Sequence, residues 1–202
     1  MPIFRREDLK DRPSWVEIED FERFTLDHSD ATGGTRTLTP TAPREMVVVL
    51  SGEVTAESPH GRVTLKRRDW MDIPAEGVTL TSAKTITSTY ACEVMHVRGD
   101  WKDVNIMAIF HFNPDRPLEL HYHDFVEYWF IFRGHFTAQL DDEEADFRPG
   151  LLLATAPGHE HGIADPPEVV EGVGFSTTRV GKKRQGHLHR DEHGAPDPDD
   201  YR

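Results

Sequence analysis

Two histidines and a glutamate at close spacing carry the clearest chemical signal in the sequence. Residues 121–127 read HYHDFVE. Residues two apart on a β-strand point to the same side, so His121 and His123 direct two imidazoles into one space. Glu127 follows after a short bend and opens the next apolar segment. Its carboxylate can therefore enter the same space.

A third imidazole is available downstream, in the loop APGHEH that ends on His161. Three neutral nitrogens and one carboxylate oxygen suit a divalent ion such as Fe, Mn, Ni, Co or Zn, at about 2.0–2.2 Å. Cys92 is the only cysteine, so the chain offers neither a multi-thiolate site nor an intrachain disulfide. The sequence therefore predicts one divalent transition metal per chain, on His121, His123, Glu127 and His161.

These residues and three nearby glycines resemble the two sequence motifs of the cupin superfamily. The matching positions are His121, His123, Glu127 and Gly134 in the first motif, and Gly150, Gly158 and His161 in the second. The resemblance implies an all-β fold built from small jelly-roll barrels. It also implies that the three histidines and the glutamate are metal ligands.

A weak internal repeat indicates two tandem copies of one barrel, as in a bicupin. Glu45 and Gly52 have the same spacing as Glu127 and Gly134. When the copies are aligned, Thr39, Thr41 and Leu80 fall opposite His121, His123 and His161. All three imidazoles are absent from the first copy, so we expect a degenerate, metal-free lobe there. It either packs as a structural partner or keeps a metal-free ligand pocket.

Four further residues are weaker candidates for the site. Strand alternation from Glu127 puts Trp129 on the ligand side, as a pocket wall or as an ordinary core residue. His111 can serve as a general base or as a partner of a ligand, or it is a plain strand histidine. His159 and Glu160 flank His161, so either can reach the substrate or face water.

The surrounding sequence is mostly β in character. Short segments rich in branched and aromatic residues, bounded by Gly, Pro or Asp, predict strands at residues 15–19, 46–50, 63–65 and 128–132. No long stretch has the helical apolar period. The predicted domains are a degenerate lobe at 15–97, a metal-binding lobe at 98–180 and a polar tail at 181–202. We expect that tail to be mobile or laid over a neighbouring chain in a homodimer. Its histidines, His187, His189 and His193, could bind a second ion, but a flexible tail rarely preorganises such a site.

Charge and hydropathy exclude several partners. The chain has 23 Lys and Arg against 36 Asp and Glu, a net charge of −13. This balance argues against binding to nucleic acid or to an anionic membrane surface. The N-terminus lacks an apolar signal region and no apolar run approaches the ~20 residues of a spanning helix, so we expect a cytoplasmic protein.

Three functions fit such a metal site. The first is an enzyme that uses the ion as a Lewis acid to isomerise, epimerise or cleave a small oxygen-rich substrate, such as a sugar, a sugar acid, or a hydroxy or keto acid. The second is an Fe(II)-dependent dioxygenase acting on an aromatic or diketone-like substrate. The third is a non-catalytic protein in which the metal anchors a small molecule. The fold alone does not decide among them.

Overall fold

The fold is all-β, as predicted, and consists of jelly-roll barrels. A computed structural model describes residues 3–27, 34–82, 91–104, 106–114, 117–164 and 166–201. The helical segments in this part of the chain are short: two 3-10 turns at Arg6–Asp11 and Pro198–Tyr201, and one α-helical turn, α1, at Arg190–His193. No helix among these residues is long and apolar enough to span a membrane.

The chain divides into two compact units. One unit comprises Glu17–Asp100, and the other combines Met1–Val16 with Trp101–Arg202. The N-terminal segment thus belongs to the second unit, where its strand β1 (Ile3–Arg5) pairs antiparallel with Leu151–Leu153. This pairing joins the beginning of the sequence to the unit that carries the histidine motif.

The described residues of the unit 17–100 form eight strands in two sheets. The strands are β2 (Ile18–Leu26), β3 (Thr35–Leu38), β4 (Arg44–Ser51), β5 (Glu53–Ser58), β6 (Gly61–Lys66), β7 (Trp70–Asp72), β8 (Val78–Ser82) and β9 (Cys92–Gly99). One sheet has the order β2-β9-β4-β7 and the other β3-β8-β5-β6. All pairings within them are antiparallel.

The second unit repeats this arrangement strand for strand. Its strands are β10 (Ile106–Phe112), β11 (Leu118–His121), β12 (Phe125–Arg133), β13 (Phe136–Leu140), β14 (Glu143–Phe147), β15 (Leu151–Thr155), β16 (His161–Ala164) and β17 (Val170–Arg179). The sheets have the orders β10-β17-β12-β15, extended by β1, and β11-β16-β13-β14. Each strand number is that of its counterpart plus eight, so the repeat inferred from spacing is also a repeat of topology.

Apolar alternation explains why these segments form strands around a core. In β8 the buried residues are Val78, Leu80 and Ser82, which share one face of the strand. The central strands β4 and β12 are buried on both faces over most of their length. This is why Met46–Leu50 and Tyr128–Phe132 read as continuous apolar runs.

The motif glycines stand where the backbone requires them. Gly52 and Gly134 both follow a central strand with φ of 76°, in the left-handed region that favours glycine. A Cβ on Gly134 would lie 2.5 Å from the carbonyl oxygen of Val169. The equal dihedral angle at equivalent positions supports the alignment of β4 with β12.

The structure differs from the sequence expectations at both ends. Residues 15–19 are not a strand throughout: the amide of Val16 donates to the carbonyl of Pro13 in a turn, and β2 begins at Ile18. Residues 181–201 pack on their own unit, where Leu188 forms a bridge with Tyr122. A few anchoring contacts hold this polar segment in place, although it contributes little apolar surface.

Candidate metal centre

The structure brings the four predicted ligand residues into one cluster. Potential ligand atoms of His121, His123, Glu127 and His161 all lie within 4.8 Å of one another. The three imidazole centroids are 4.4–5.0 Å apart. The histidines are buried, with exposed fractions of 0–2%. Among the residues that the structure describes, this is the one group with the composition and spacing of a metal site.

Strand ends and a bend aim these side chains inward. His121 ends β11 and pairs with His161, the first residue of β16, so two imidazoles lie opposite each other across the sheet. His123 lies just beyond the strand rather than within it, and Glu127 lies near the start of β12. The adjacent strand β15 places Thr155 opposite Glu127. Residues distant in sequence thus meet at one end of the barrel.

Each imidazole is fixed by a backbone carbonyl. The Nδ1 atoms lie 2.7 Å from the Glu119 oxygen for His121, 3.0 Å from the Gly186 oxygen for His123, and 3.1 Å from the His159 oxygen for His161. A carbonyl only accepts hydrogen bonds, so each Nδ1 carries the proton. In the neutral ring, Nε2 is then a free lone pair, which is the form that binds metals.

The free nitrogens converge on the carboxylate of Glu127. Its Oε2 lies 3.1 Å from Nε2 of His161 and 3.4 Å from Nε2 of His123. The buried Nε2 atoms of His121 and His123 have no hydrogen-bond partner among the described residues. A ring nitrogen this close to a carboxylate oxygen is stable only when a proton or a metal cation lies between the two atoms. The donor set therefore fits a divalent transition metal.

The local electrostatics also favour metal-binding protonation states. Burial, reinforced by the neighbouring His161, lowers the pKa of His121 to about 2, so this ring is neutral at pH 7. Burial alone would raise the pKa of Glu127. The contacts with His123 and His161 outweigh burial and hold the pKa of this carboxyl well below its usual range. Glu127 is consequently an anion beside the neutral ring of His121.

The C-terminal segment also contacts the cluster, and the sequence did not predict these contacts. The carbonyl of Gly186 orients His123. The guanidinium of Arg184 contacts both carboxylate oxygens of Asp124, at 3.1 Å each, and the backbone amide of Arg184 donates to the same carboxylate. Tyr201 donates a further hydrogen bond to Asp124. These contacts pin the segment beside the ligands, and the only sequence signal for them is the histidine spacing of the tail.

The tail histidines lie at this site and do not form a second one. His187 stacks on His121, with ring centroids 4.1 Å apart. His189 lies farther out, with its Nδ1 3.3 Å from the carbonyl of Leu120, and His193 is exposed. No metal-binding group of the described residues contains a tail histidine. A second ion on these residues, which the sequence left as the less favoured alternative, finds no support among the described residues.

Of the four weaker candidates, one lies at the site. Trp129 has its ring centroid 5.8 Å from that of His161 and lines a cavity beside Glu127. His111 points outward and pairs with Glu171 at 3.3 Å, because it alternates with the inward Phe110 and Phe112.

The two flanking residues point away from the cluster. His159 is exposed and pairs with Asp141 at 2.7 Å. Glu160 is buried and accepts hydrogen bonds from Arg190. Both occupy the loop before β16, and neither carries a ligand atom in the cluster.

The counterpart of Glu127 in the unit 17–100 is already neutralised by protein groups. Glu45 Oε2 lies 2.6 Å from Nε2 of the buried His96. The backbone amides of Thr41 and Ala42 donate to the other carboxylate oxygen. Burial opposes ionisation, but these hydrogen bonds lower the pKa of Glu45. The carboxylate has its charge compensated without an ion.

The strand register corrects part of the repeat alignment. In the unit 17–100, Leu38 pairs with Val78 at the position where His121 pairs with His161. The equivalents of those histidines are therefore Leu38 and Val78, not Thr39 and Leu80. The reason is loop length, since β8 begins directly after Gly77 while β16 begins three residues after Gly158. Both equivalents are apolar and buried.

Loss of the Arg184 side chain should weaken metal binding. Arg184→Ala frees the segment whose Gly186 carbonyl orients His123, and loss of such an outer partner costs roughly 10–100-fold in metal affinity. Calorimetric titration with Zn²⁺ or Co²⁺ checks this. Lys182→Ala is the matched control, because Lys182 pairs with Asp200 on the surface at 2.8 Å and should leave the affinity unchanged. Equal affinities in the two variants would contradict the role of the segment.

Fold and site together define a jelly-roll barrel with a candidate mononuclear metal centre of three histidines and one glutamate. Comparison with known proteins gives a matching fold. No protein-family model matches the chain. The protein y4oW of Sinorhizobium fredii is 28% identical over 213 residues, which cover 98% of this chain and 94% of that protein.

Among solved structures, the chain is similar to oxalate decarboxylases. The Lactobacillus farciminis enzyme in its formate complex has a TM-score of 0.65 and 12% identity, with 89% of this chain and 87% of that chain covered. A mutant of the Bacillus subtilis enzyme has a TM-score of 0.68 and 9% identity, with 93% and 79% covered. These neighbours are cupin proteins. At such identities the likeness shows the fold, which agrees with the cupin resemblance of the sequence.

Proposed function

We propose that this chain is a mononuclear metal-dependent enzyme of the cupin type that acts on a small oxygen-bearing substrate. The observation that supports this most directly is the convergence of unprotonated Nε2 atoms on Glu127, two of them buried without a hydrogen-bond partner. A structural role for three buried imidazoles would require partners for those nitrogens. A metal ion supplies all of them at once.

The protein groups around the centre are arranged for catalysis on a bound molecule. An ion held here would act as a Lewis acid on a substrate oxygen. Carbonyls fix the rings of His121, His123 and His161 before any ligand arrives, which preorganises the site. The C-terminal segment covers one side of the cluster and limits access of water. Isomerase, epimerase or lyase chemistry follows from these features.

An Fe(II)-dependent dioxygenase is the second candidate. The cavity beside Glu127 is walled by Phe110, Phe112, Phe125, Trp129 and Phe175. Such a wall favours the aromatic or diketone-like substrates expected of a dioxygenase over a polyhydroxylated one.

We further propose that the chain is a bicupin whose unit 17–100 has lost its metal. Its topology repeats that of the metal-binding unit, and Glu45 keeps the position of Glu127. Apolar Leu38 and Val78 replace two histidines there, and the buried His96 is hydrogen-bonded to Glu45. One ion per chain is therefore expected. A homodimer and a cytoplasmic location stay predictions.

Elemental analysis combined with oxygen consumption tests the proposed function. We expect about one equivalent of a divalent transition metal in protein purified without added chelator. The metal-loaded protein should then turn over a small hydroxy, keto or aromatic acid. Oxygen uptake by the iron-loaded protein during turnover identifies a dioxygenase. Turnover without oxygen uptake identifies Lewis-acid chemistry. Tight metal binding with no turnover across these substrate classes would contradict an enzyme and leave a metal-anchored binding protein.

A further inference from the structure

A cavity of about 260 Å³ lies directly beside the candidate metal centre of the second unit and opens to solvent near Ala108 and His187. Its wall is mostly apolar, with five aromatic side chains. The polar side chains in the wall are those of His123, Glu127, Ser176 and His187. Glu127 and His123 belong to the metal cluster, so Ser176 and His187 remain to bind the rest of a substrate.

The other unit fills the equivalent space. The two units can be aligned residue by residue from the strand pairings within each unit. When Glu45 is set equivalent to Glu127, strands β2, β4 and β9 correspond to β10, β12 and β17. Three positions then correspond directly. They are Ala108 with Glu22, Gly174 with His96, and Ser176 with Arg98.

Large polar side chains occupy these positions in the unit 17–100, with His96 buried and Glu22 and Arg98 partly buried. His96 bonds to Glu45 at 2.6 Å, and Arg98 bonds to Glu22 at 2.8 Å. Arg36 also reaches Glu22, at 2.6 Å. In the second unit, Ala108, Gly174 and Ser176 leave that volume open. The cavity is therefore a difference between two copies of one barrel, located at the same end as the metal cluster.

Ser176 is the main sign that the cavity takes a ligand with a polar substituent. It is 1% exposed, and its Oγ has no hydrogen-bond partner among the described residues. Buried hydroxyls usually have a partner. Since Ser176 lines the cavity, a group on the ligand can supply one.

We propose that the cavity binds a single-ring aromatic acid, with its oxygen substituents toward His123 and Glu127 and its ring among the phenylalanines. An apolar cavity of roughly 150 Å³ accommodates benzene, so about 260 Å³ fits one substituted ring. A sugar acid carries several hydroxyls, and this wall offers them few partners. Each unmatched hydroxyl weakens binding. This inference rests on the proposed metal-dependent function and narrows its substrate class.

Binding of 2-hydroxybenzoate and glucuronate to the metal-loaded protein tests the inference. Calorimetry should show binding of 2-hydroxybenzoate and none of glucuronate at the same concentration. Ala108 is exposed at the open side of the cavity. Ala108→Leu adds three carbons there and should weaken 2-hydroxybenzoate binding at least about tenfold, with metal content unchanged. Ala75→Leu, at an exposed turn of the other unit, is the matched control and should bind like the wild type.

The variants separate this inference from the proposed function. If Ala108→Leu does not fold, as judged by its melting curve, Ala108→Val replaces it with a smaller addition. Glucuronate binding that exceeds 2-hydroxybenzoate binding, or an unchanged affinity in a folded Ala108 variant, would overturn the substrate class while the metal site stands. Absence of bound metal in the wild type would instead refute the proposed function.

Discussion

Replacing His123 by alanine will weaken metal binding by more than the roughly 10–100-fold that loss of an outer partner costs. His123 is 2% exposed, and its Nε2 faces Glu127 with no other partner among the described residues. Among the described residues, the group with metal-binding spacing contains only His121, His123, Glu127 and His161. Isothermal titration with Zn²⁺, Co²⁺ and Mn²⁺, and elemental analysis after dialysis, measure the loss.

His135→Ala is the control, because it removes an imidazole that lies outside the cluster. His135 is exposed and pairs with Glu168 at 2.8 Å, outside the cluster. Its variant should retain one equivalent of metal and the wild-type affinity. A His123→Ala protein that keeps a full equivalent of tightly bound metal would show that the cluster is not the site.

Removing the metal will lower the melting temperature by about 10 °C or more. The ligands of the site come from β11, the start of β12 and β16, so the assembled site exists only in the folded protein. An ion bound to the native state at a thousandfold excess over Kd contributes about 4 kcal/mol to the free energy of unfolding. For a chain of this size each kcal/mol corresponds to roughly 2–4 °C. Calorimetric scans before and after chelation measure the shift.

Glu127→Gln provides the control for the chelation experiment. The amide keeps the shape of the carboxylate but removes its charge, so the metal should bind far less tightly. Chelation should then leave the melting curve of this variant unchanged, while the wild type shifts. Identical curves for wild-type protein with and without metal, once removal is confirmed by elemental analysis, would contradict the coupling of metal to fold.

The sequence predicted most of the strands and the clustering of the four candidate ligands because both depend on short-range patterns. The run Met46–Leu50 lies in a strand buried on both faces, and the spacing of His121 and His123 with Glu127 brings their side chains together. These signals are contained in a few consecutive residues. The glycines after the central strands are similarly local, since a positive φ there requires them.

The parts that the sequence did not predict depend on partners distant along the chain. The contact of the Gly186 carbonyl with His123 spans 63 residues and involves a backbone atom, so no side-chain pattern reports it. Leu38 and Val78 were missed because a loop two residues shorter shifts the register relative to His121 and His161. The cavity likewise depends on strand pairing, because only the pairing shows that Gly174 occupies the position equivalent to His96.

The most direct test of the account is the position of the metal itself. Crystals of the metal-loaded protein should give one anomalous-scattering peak per chain at the absorption edge of the bound ion. We predict a peak about 2.0–2.2 Å from Nε2 of His121, His123 and His161 and from a carboxylate oxygen of Glu127. A peak outside this cluster, or a second one beside Glu45 in the unit 17–100, would contradict it.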